Sequence, residues 1–449
     1  MKKPTLRNES VPFEFEELFF STTDTKGIIL YGNTVFMRIS GYPEKTMIKA
    51  PHNIIRHPDM PRSVFKLFWD VLKTDSPIAA YVKNLSADGR YYWVFAFAFP
   101  VDDGYLSIRF KPSSEIFSVV EEVYAEVLKK EKASSMEEGE KLLLKMLKDK
   151  GFDNYQDFMV TAAITELKAR ENHLAHKDST VINRDPAISR ITEITKRMTK
   201  QLNQSFDNIS TFEEGSKSFS EVLSTLKTEF HKLKFLSVNM NILAVKFGES
   251  AATLSVISEE FSRLAGQIEN QITTFANFSD NLSGIIKHGS LNITALKTQM
   301  IMVDFFVKES IHNLETTDNA FEGMLANKHV FISLFNSTIA KLESELSKLK
   351  TEMVVIEDQL LEVKKLVRAL EIIKQTGAIE SARKDEIKSS FNVYLQEMEA
   401  FLNLLRRSIN ELVQQKMNIG QNALEFQDSA QIIKGNIENI FEMAMMKSH

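Results

Sequence analysis

The chain contains no cysteine, which excludes disulfides, thiolate zinc sites, iron–sulfur ligation and cysteine nucleophiles together. A cytoplasmic location is the expectation that follows. No stretch reaches the roughly 18 uninterrupted apolar residues of a membrane span. The opening MKKPTLRNESVP has a basic start with no apolar core behind it, so neither export nor membrane insertion is expected. Nor does one sign of charge dominate: 55 basic and 60 acidic residues leave a net charge of −5, and no broad basic field for nucleic acid. Tryptophan is nearly absent, with Trp69 and Trp93 the two copies. Proline is missing from the last 263 residues. Because proline costs about 3 kcal/mol inside a helix, such a stretch can be continuous helix over long spans.

What is present divides in two. At 449 residues the chain exceeds one ordinary core, and two or three units are expected. In the front, GIILYG (27–32) and YVKNLSADGRYYWVFAFAFPVDDGYLSIRF (81–110) are rich in β-branched and aromatic residues, and Asp88-Gly89 and Asp103-Gly104 are hairpin signals. Between them NTVFMRISGY, PEKTMIKA and RSVFKLFWDVLK have the apolar spacing of short helices, the first ended by Gly41. The reading is an α+β module of about 100 residues.

After Pro112 the apolar period becomes helical. Ser135 with Glu138 reads as a capping box, and Lys148, Lys150 and Gly151 as a helix stop. Beyond Pro186 a near-heptad series runs from Ile191 to Leu233. The cleanest series is Phe335, Ile339, Leu342, Leu346, Leu349, Met353, Ile356, Leu360, Val363, Val367 and Leu370, which alternates steps of four and three as in a coiled coil. Another, from Phe391 to Leu412, resumes after TGAIESARKDE, a turn between antiparallel helices. A single apolar stripe must find a neighbour in the same chain or a second copy, and a homodimer is the economical expectation.

The loop PHNIIRHPDMP (51–61) holds the most chemistry. Arg56 and His57 offer donors to phosphate or carboxylate on a backbone stiffened by Pro58 and Pro61. Trp69, with Phe65 and Phe68, supplies flat apolar surface, and Asn84 a donor and an acceptor for the edge of a planar ring. Together they describe a pocket for a phosphorylated aromatic cofactor. The same residues also fit plain structural roles: Arg56 pairing with Asp59, His57 capping a helix, Trp69 in a core. Trp93, Phe95, Phe97 and Phe99 share one strand face and could line a cofactor, fill a core or cover a partner.

Residues 20–112, from FSTTDTKGIILYGN through the Pro-His-Asn…Arg-His-Pro-Asp-Met-Pro loop to YVKN, DGRYYWV and LSIRF, closely resemble the PAS domain of the Aer-type aerotaxis receptors. The resemblance implies an α+β PAS domain that binds FAD non-covalently and passes its redox state to a helical module. Carried over by motif position, it implies Arg56, His57, Asp59 and Trp69 as flavin-holding residues, with Asn33 and Asn84 as weaker matches. Where the family usually has Pro-Trp-Ser-Gly, this chain has Pro77, Ile78, Ala79 and Ala80. Without cysteine, a covalent flavin–thiol adduct is excluded. Haem, ligated by His52 or His57, is a weaker alternative, and a cofactor-free domain another.

A second, fainter resemblance lies at 238–265, VNMNILAVKFGESAATLSVISEEFSRLA, to the hairpin tip of methyl-accepting chemotaxis receptors. It implies a signalling tip that includes Asn239, Gly248, Glu249, Glu259 and Glu260, and as partners the chemotaxis kinase, its coupling protein or other chemoreceptors. Leu243 and Lys246 depart from the usual glutamate and arginine, and Ser250-Ala251-Ala252-Thr253 from Gln-Gly-Arg-Gly. The expected organisation is a tail (1–13), a PAS sensor domain (14–112), connecting helices (113–186), a receptor-like hairpin (187–312) with its tip near 248–249, and additional coiled coil (313–449). In fold class this is an α+β PAS domain followed by long all-α antiparallel coiled-coil helices. No nucleophile, base and orienting residue cluster in one motif, and His173 and His176 have no metal partner nearby, so neither enzyme nor metal site is expected. The function that emerges is a soluble redox or energy transducer, or else a docking module on a coiled-coil scaffold.

Overall fold

The computed structural model describes residues 4–175, 185–248, 252–314, 321–383 and 385–447. The chain forms two compact units: Met1–Phe206 with Leu291–Lys341 and Ser429–His449, and Asp207–Ser290 with Leu342–Asp428.

The first unit begins with a five-stranded antiparallel sheet in the order β2-β1-β5-β4-β3, where β1 is Phe19–Asp24, β2 Ile29–Gly32, β3 Ile78–Leu85, β4 Tyr91–Val101 and β5 Gly104–Phe110. Three α-helices stand between β2 and β3, α1 (Thr34–Ser40), α2 (Glu44–Met47) and α3 (Arg62–Leu72), with a 3-10 turn at His52–Ile55 before the last. α1 starts because Asn33 Oδ1 accepts from Phe36 N at 3.1 Å, and stops because Gly41 takes the left-handed conformation at φ 70°. The turn between β3 and β4 needs Gly89, with φ 91°, where a side chain would strike the carbonyl oxygen of Thr5. The stretch read from sequence as a tail is anchored there. Arg7 N donates to Gly89 O at 2.8 Å and Val11 N to Tyr91 O at 2.7 Å, while Val11 and Phe13 are buried.

Strand alternation gives the sheet two different faces. One carries Ser21, Thr23, Ala96, Ala98, Ser107 and Arg109 toward α3. The other packs on α4 (Glu115–Ala133), α6 (Tyr155–Leu174) and parts of α9 (Ala252–Asn313) and α11 (Lys328–Ser381); the same unit also holds α5 (Met136–Asp149), which packs on α3, with α7 (Pro186–Asp207), α10 (Glu322–Ala326) and part of α12 (Asp385–Lys447). On this second face Trp93 lies 5.4 Å from Phe117, and Phe20 meets both Phe306 and Phe331 edge-on at 5.3 Å. The aromatic row of β4 therefore belongs to the face that covers helices. The helix that sequence periodicity carries past Pro186 breaks at Asn208, where α7 gives way to α8 (Ile209–Lys246).

The second unit is an antiparallel four-helix bundle of α8 with parts of α9, α11 and α12. Asn241 bonds Ser262 at 3.2 Å between α8 and α9, Arg406 Nε bonds Glu371 at 2.9 Å between α12 and α11, and Phe212 and Phe230 meet Phe426 and Phe401 between α8 and α12. α8 and α9 reverse at Gly248, which has φ 56°. α11 and α12 reverse after Ser381, within TGAIESARKDE. The heptad series is buried: Leu342, Leu349, Ile356, Leu360 and Leu370 are all at most 4% exposed. The helices that cover it come from the same chain, so these seams close without a second copy.

Candidate cofactor site

A cavity of about 510 Å³ lies between the sheet and α3, in the size range of small-molecule sites. It exists because β4 places the small side chains Ala96 and Ala98 on this face, opposite the bulky helix-facing row. The facing wall is apolar and aromatic: Phe65, Phe68, Trp69 and Leu72 of α3, with Trp69 edge-on to Tyr105 at 5.1 Å. Met136, the first residue of α5, also lines it. The α4–α5 hairpin thus reaches the rim.

The charged groups in the lining are all basic: Lys26, Arg56, Arg62, Lys66 and Arg109, with His52 beside them and no carboxylate among the lining residues. Arg56 lies over the Phe65 ring at 4.3 Å and donates to Met60 O at 3.1 Å. Burial pulls its pKa down, Glu131 works against that, and Arg62 reinforces it. Arg109 is pulled down to about 10 by burial. His52 is held well below its ordinary value, first by burial and then by Arg109. Such a lining favours an anionic ligand with a flat apolar body.

Of the residues singled out from sequence, Arg56, Trp69 and Asn84 come together in this lining. His57, Asp59 and Asn33 do not. His57 Nδ1 accepts from Asp59 N at 3.1 Å, its own backbone N donates to Lys83 O at 3.3 Å, and Lys83 pairs with Asp59 at 3.4 Å. They fasten the loop to β3. Asn33 is 2% exposed and ties β1 to α1, with Oδ1 accepting from Phe20 N at 3.0 Å and Nδ2 donating to Leu18 O at 2.7 Å. Around the hairpin reversal, Asn239, Gly248 and Glu259 are exposed, Glu260 pairs with Arg263, and Glu249 lies outside the described residues.

Sequence reasoning missed Arg109, Met136 and Glu131, and read His52 only as an alternative haem ligand. Arg109 had a signal: Tyr105, Ser107 and Arg109 put polar groups at every second position of a strand whose other face is Leu106, Ile108 and Phe110. Glu131 had none, because only the fold brings α4 to α3. Its carboxylate accepts from Arg62 N and Ser63 N at 2.8 Å each and from Ser63 Oγ at 2.6 Å. It thereby caps a helix that has Pro61 at its N-cap and no cap of its own.

These features define a PAS domain. Residues 29–107 match the PAS_3 family, the PAS fold. Within that class, the chain is similar to the aerotaxis receptor of Escherichia coli strain K12, with 36% identity over 126 residues, 27% of this chain and 25% of that receptor. The match therefore spans a quarter of the receptor's length. Among solved structures, the PAS domain of a Colwellia psychrerythraea protein aligns at 19% identity over 21% of this chain and 85% of that one, with a TM-score of 0.20. The light state of the blue-light photoreceptor Aureochrome1 LOV aligns at 18% identity over 23% of this chain and 86% of that one, with a TM-score of 0.21. No described helix is long and apolar enough to cross a membrane.

Proposed function

We propose that this chain is a cytoplasmic redox or energy transducer that holds FAD in the PAS cavity and relays the flavin's state to the helical bundle. The observation that carries the reading is the lining: an aromatic wall and small-residue floor for a tricyclic ring, with the cations Lys26, Arg56, Arg62 and Lys66 beside it for a diphosphate and no acid among the lining residues. The similarity to an aerotaxis receptor over the same segment supports it. Pro77-Ile78-Ala79-Ala80, where a ring-packing tryptophan is usual, does not fill the space: Ile78, Ala79 and Ala80 are buried outside the lining. Haem has less support. His52 Nε2 stands 2.7 Å from Arg109, and His57 Nδ1 already accepts a backbone proton.

Bound flavin supplies two-electron redox chemistry. The chain's own part is to hold the ring against Trp69 and Asn84 and to transmit strain through the sheet. Ser107 and Arg109 face the cavity, while their neighbours Ile108 and Phe110 face the helices, where Arg170 of α6 lies over the Phe110 ring at 5.4 Å. A second route runs from α3 through Glu131 into α4. A difference of a few kcal/mol between states suffices to switch such elements. The test is the absorbance of the purified chain with and without added FAD, in wild type and Trp69→Ala.

A second reading, a scaffold that docks partners through its bundle, is favoured by one observation. Phe235, Val238, Ile242 and Val245 form a row on α8 and are 73, 50, 62 and 74% exposed. The chemotaxis kinase, its coupling protein or other chemoreceptors are the partners proposed for that surface, and a homodimer remains a proposal alongside them.

A further inference from the structure

Arg109 is 3% exposed, yet it has no acidic partner among the described residues. Its Nη2 donates to Ser21 Oγ at 2.6 Å and lies 2.7 Å from His52 Nε2, its guanidinium stands 5.0 Å from the centre of the Phe36 ring, and Nη1 has no hydrogen-bond partner among the described residues. Arginine can only donate, so His52 Nε2 is an acceptor and the imidazole is neutral with its proton on Nδ1. Burying a guanidinium without an anion is costly, and a buried donor left unmade adds to that cost. The cation is not stray surface charge that drifted inward. It is on a central strand, clamped from two sides, in the wall of a cavity whose lining has no carboxylate. A ligand in this cavity can supply the acceptor that completes it.

The other basic groups of the lining differ in kind. Lys26 and Arg62 are exposed, Arg56 and Lys66 half-buried, and Lys66 already pairs with Asp70 and Glu140. They suit a solvated phosphate. Arg109, dry and fixed, suits an oxygen of the ring itself.

We infer that Arg109, held by Ser21 and His52, recognises the oxygen-bearing, electron-rich edge of the cofactor's heterocycle, separately from the basic rim that takes its phosphates. This rests on the flavin reading above and deepens it. It assigns ring recognition to a residue outside the Pro-rich loop.

The test is titration of the full chain with FAD, riboflavin and lumiflavin, which share the ring and differ in the tail, followed by flavin fluorescence. Wild type binds all three, and Arg109→Met weakens all three alike by about tenfold or more, the worth of a charge-assisted hydrogen bond. Arg109→Lys recovers part of the loss. A rim variant, Arg62→Gln with Lys66→Gln, weakens FAD and leaves lumiflavin unchanged. The inference is overturned if folded Arg109→Met binds all three as wild type does, or loses FAD alone. Should Arg109→Met fail to fold, Arg109→Lys decides: weaker binding of all three flavins alike upholds the inference, and binding of all three as in wild type overturns it. Uptake of no flavin by wild type removes both this inference and the flavin reading. Flavin uptake indifferent to Arg109 removes this inference only.

Discussion

The carboxylate of Glu166, on α6, accepts the hydroxyl proton of Tyr81, on β3, at 2.8 Å, with both residues buried. It also accepts from Ser114 Oγ at 2.7 Å and from the backbone amides of Ser113 and Ser114 at 2.7 and 3.2 Å. One side chain therefore joins the sheet, the residue before α4, and α6. Its neighbourhood raises the Tyr81 pKa, by burial first and by Glu166 second. Removing the acceptor leaves several buried donors unpaired, so Glu166→Ala is expected to destabilise the first unit by about 3–5 kcal/mol. Glu166→Gln, which keeps one acceptor oxygen, costs less. Urea unfolding followed by tryptophan fluorescence checks this, since both tryptophans lie in the PAS domain.

Glu131 makes a smaller but more telling contact. Glu131→Ala removes the cap on α3 and is expected to cost about 1 kcal/mol of stability. Because α3 carries Phe65, Phe68 and Trp69, the same change should speed flavin release several-fold. Stopped-flow dilution into a flavin-binding trap measures the release rate.

Trp69→Ala should remove bound flavin while leaving the fold intact. The side chain is only half-buried in the protein alone, so its truncation costs the core less than loss of a fully buried aromatic. Circular dichroism and absorbance on the same sample separate the two effects.

His52 sets a pH dependence. Its folded pKa is depressed below the ordinary 6.5, by burial and then by Arg109. The unfolded chain therefore binds the proton that the folded chain refuses. This contribution is fully present above the unfolded value and is lost as pH falls through 6.5 toward the lower folded value, with a limiting slope of about 1.4 kcal/mol per pH unit. Urea midpoints between pH 8 and 5 should fall for wild type, and fall less steeply for His52→Gln, which removes this titration.

The exposed row on α8 gives a prediction of the opposite kind. Ile242→Lys and Val245→Lys should change stability by no more than about 0.5 kcal/mol, because neither side chain is packed. Any partner held by that row should be lost. Thermal melts and co-purification with the chemotaxis kinase and coupling protein check the two halves.

Much of the fold was legible in the sequence because local signals coincide with it. Asn33 and Gly41 frame α1, Gly89 marks the turn before β4, and the series from Leu342 to Leu370 is the buried seam of α11. β1 was not legible. Ser21, Thr22 and Thr23 are polar in a strand that lies inside the sheet, because two of them face the cavity and not a packed core. The site was half legible for the same reason. Arg56, Trp69 and Asn84 stand out as chemistry within short stretches, whereas Arg109, His52, Met136 and Glu131 become a site only when β5, the loop, α5 and α4 are brought together. His57, Asp59 and Asn33 also look like ligand-binding chemistry in sequence, and in the fold they bond its own backbone and fasten the loop.

The most direct measurement is the visible absorbance of the purified full chain, repeated after incubation with excess FAD and removal of the free cofactor. The account predicts a yellow protein with flavin bands that bleach on reduction, and release of FAD on denaturation. A colourless protein that stays colourless after incubation contradicts it.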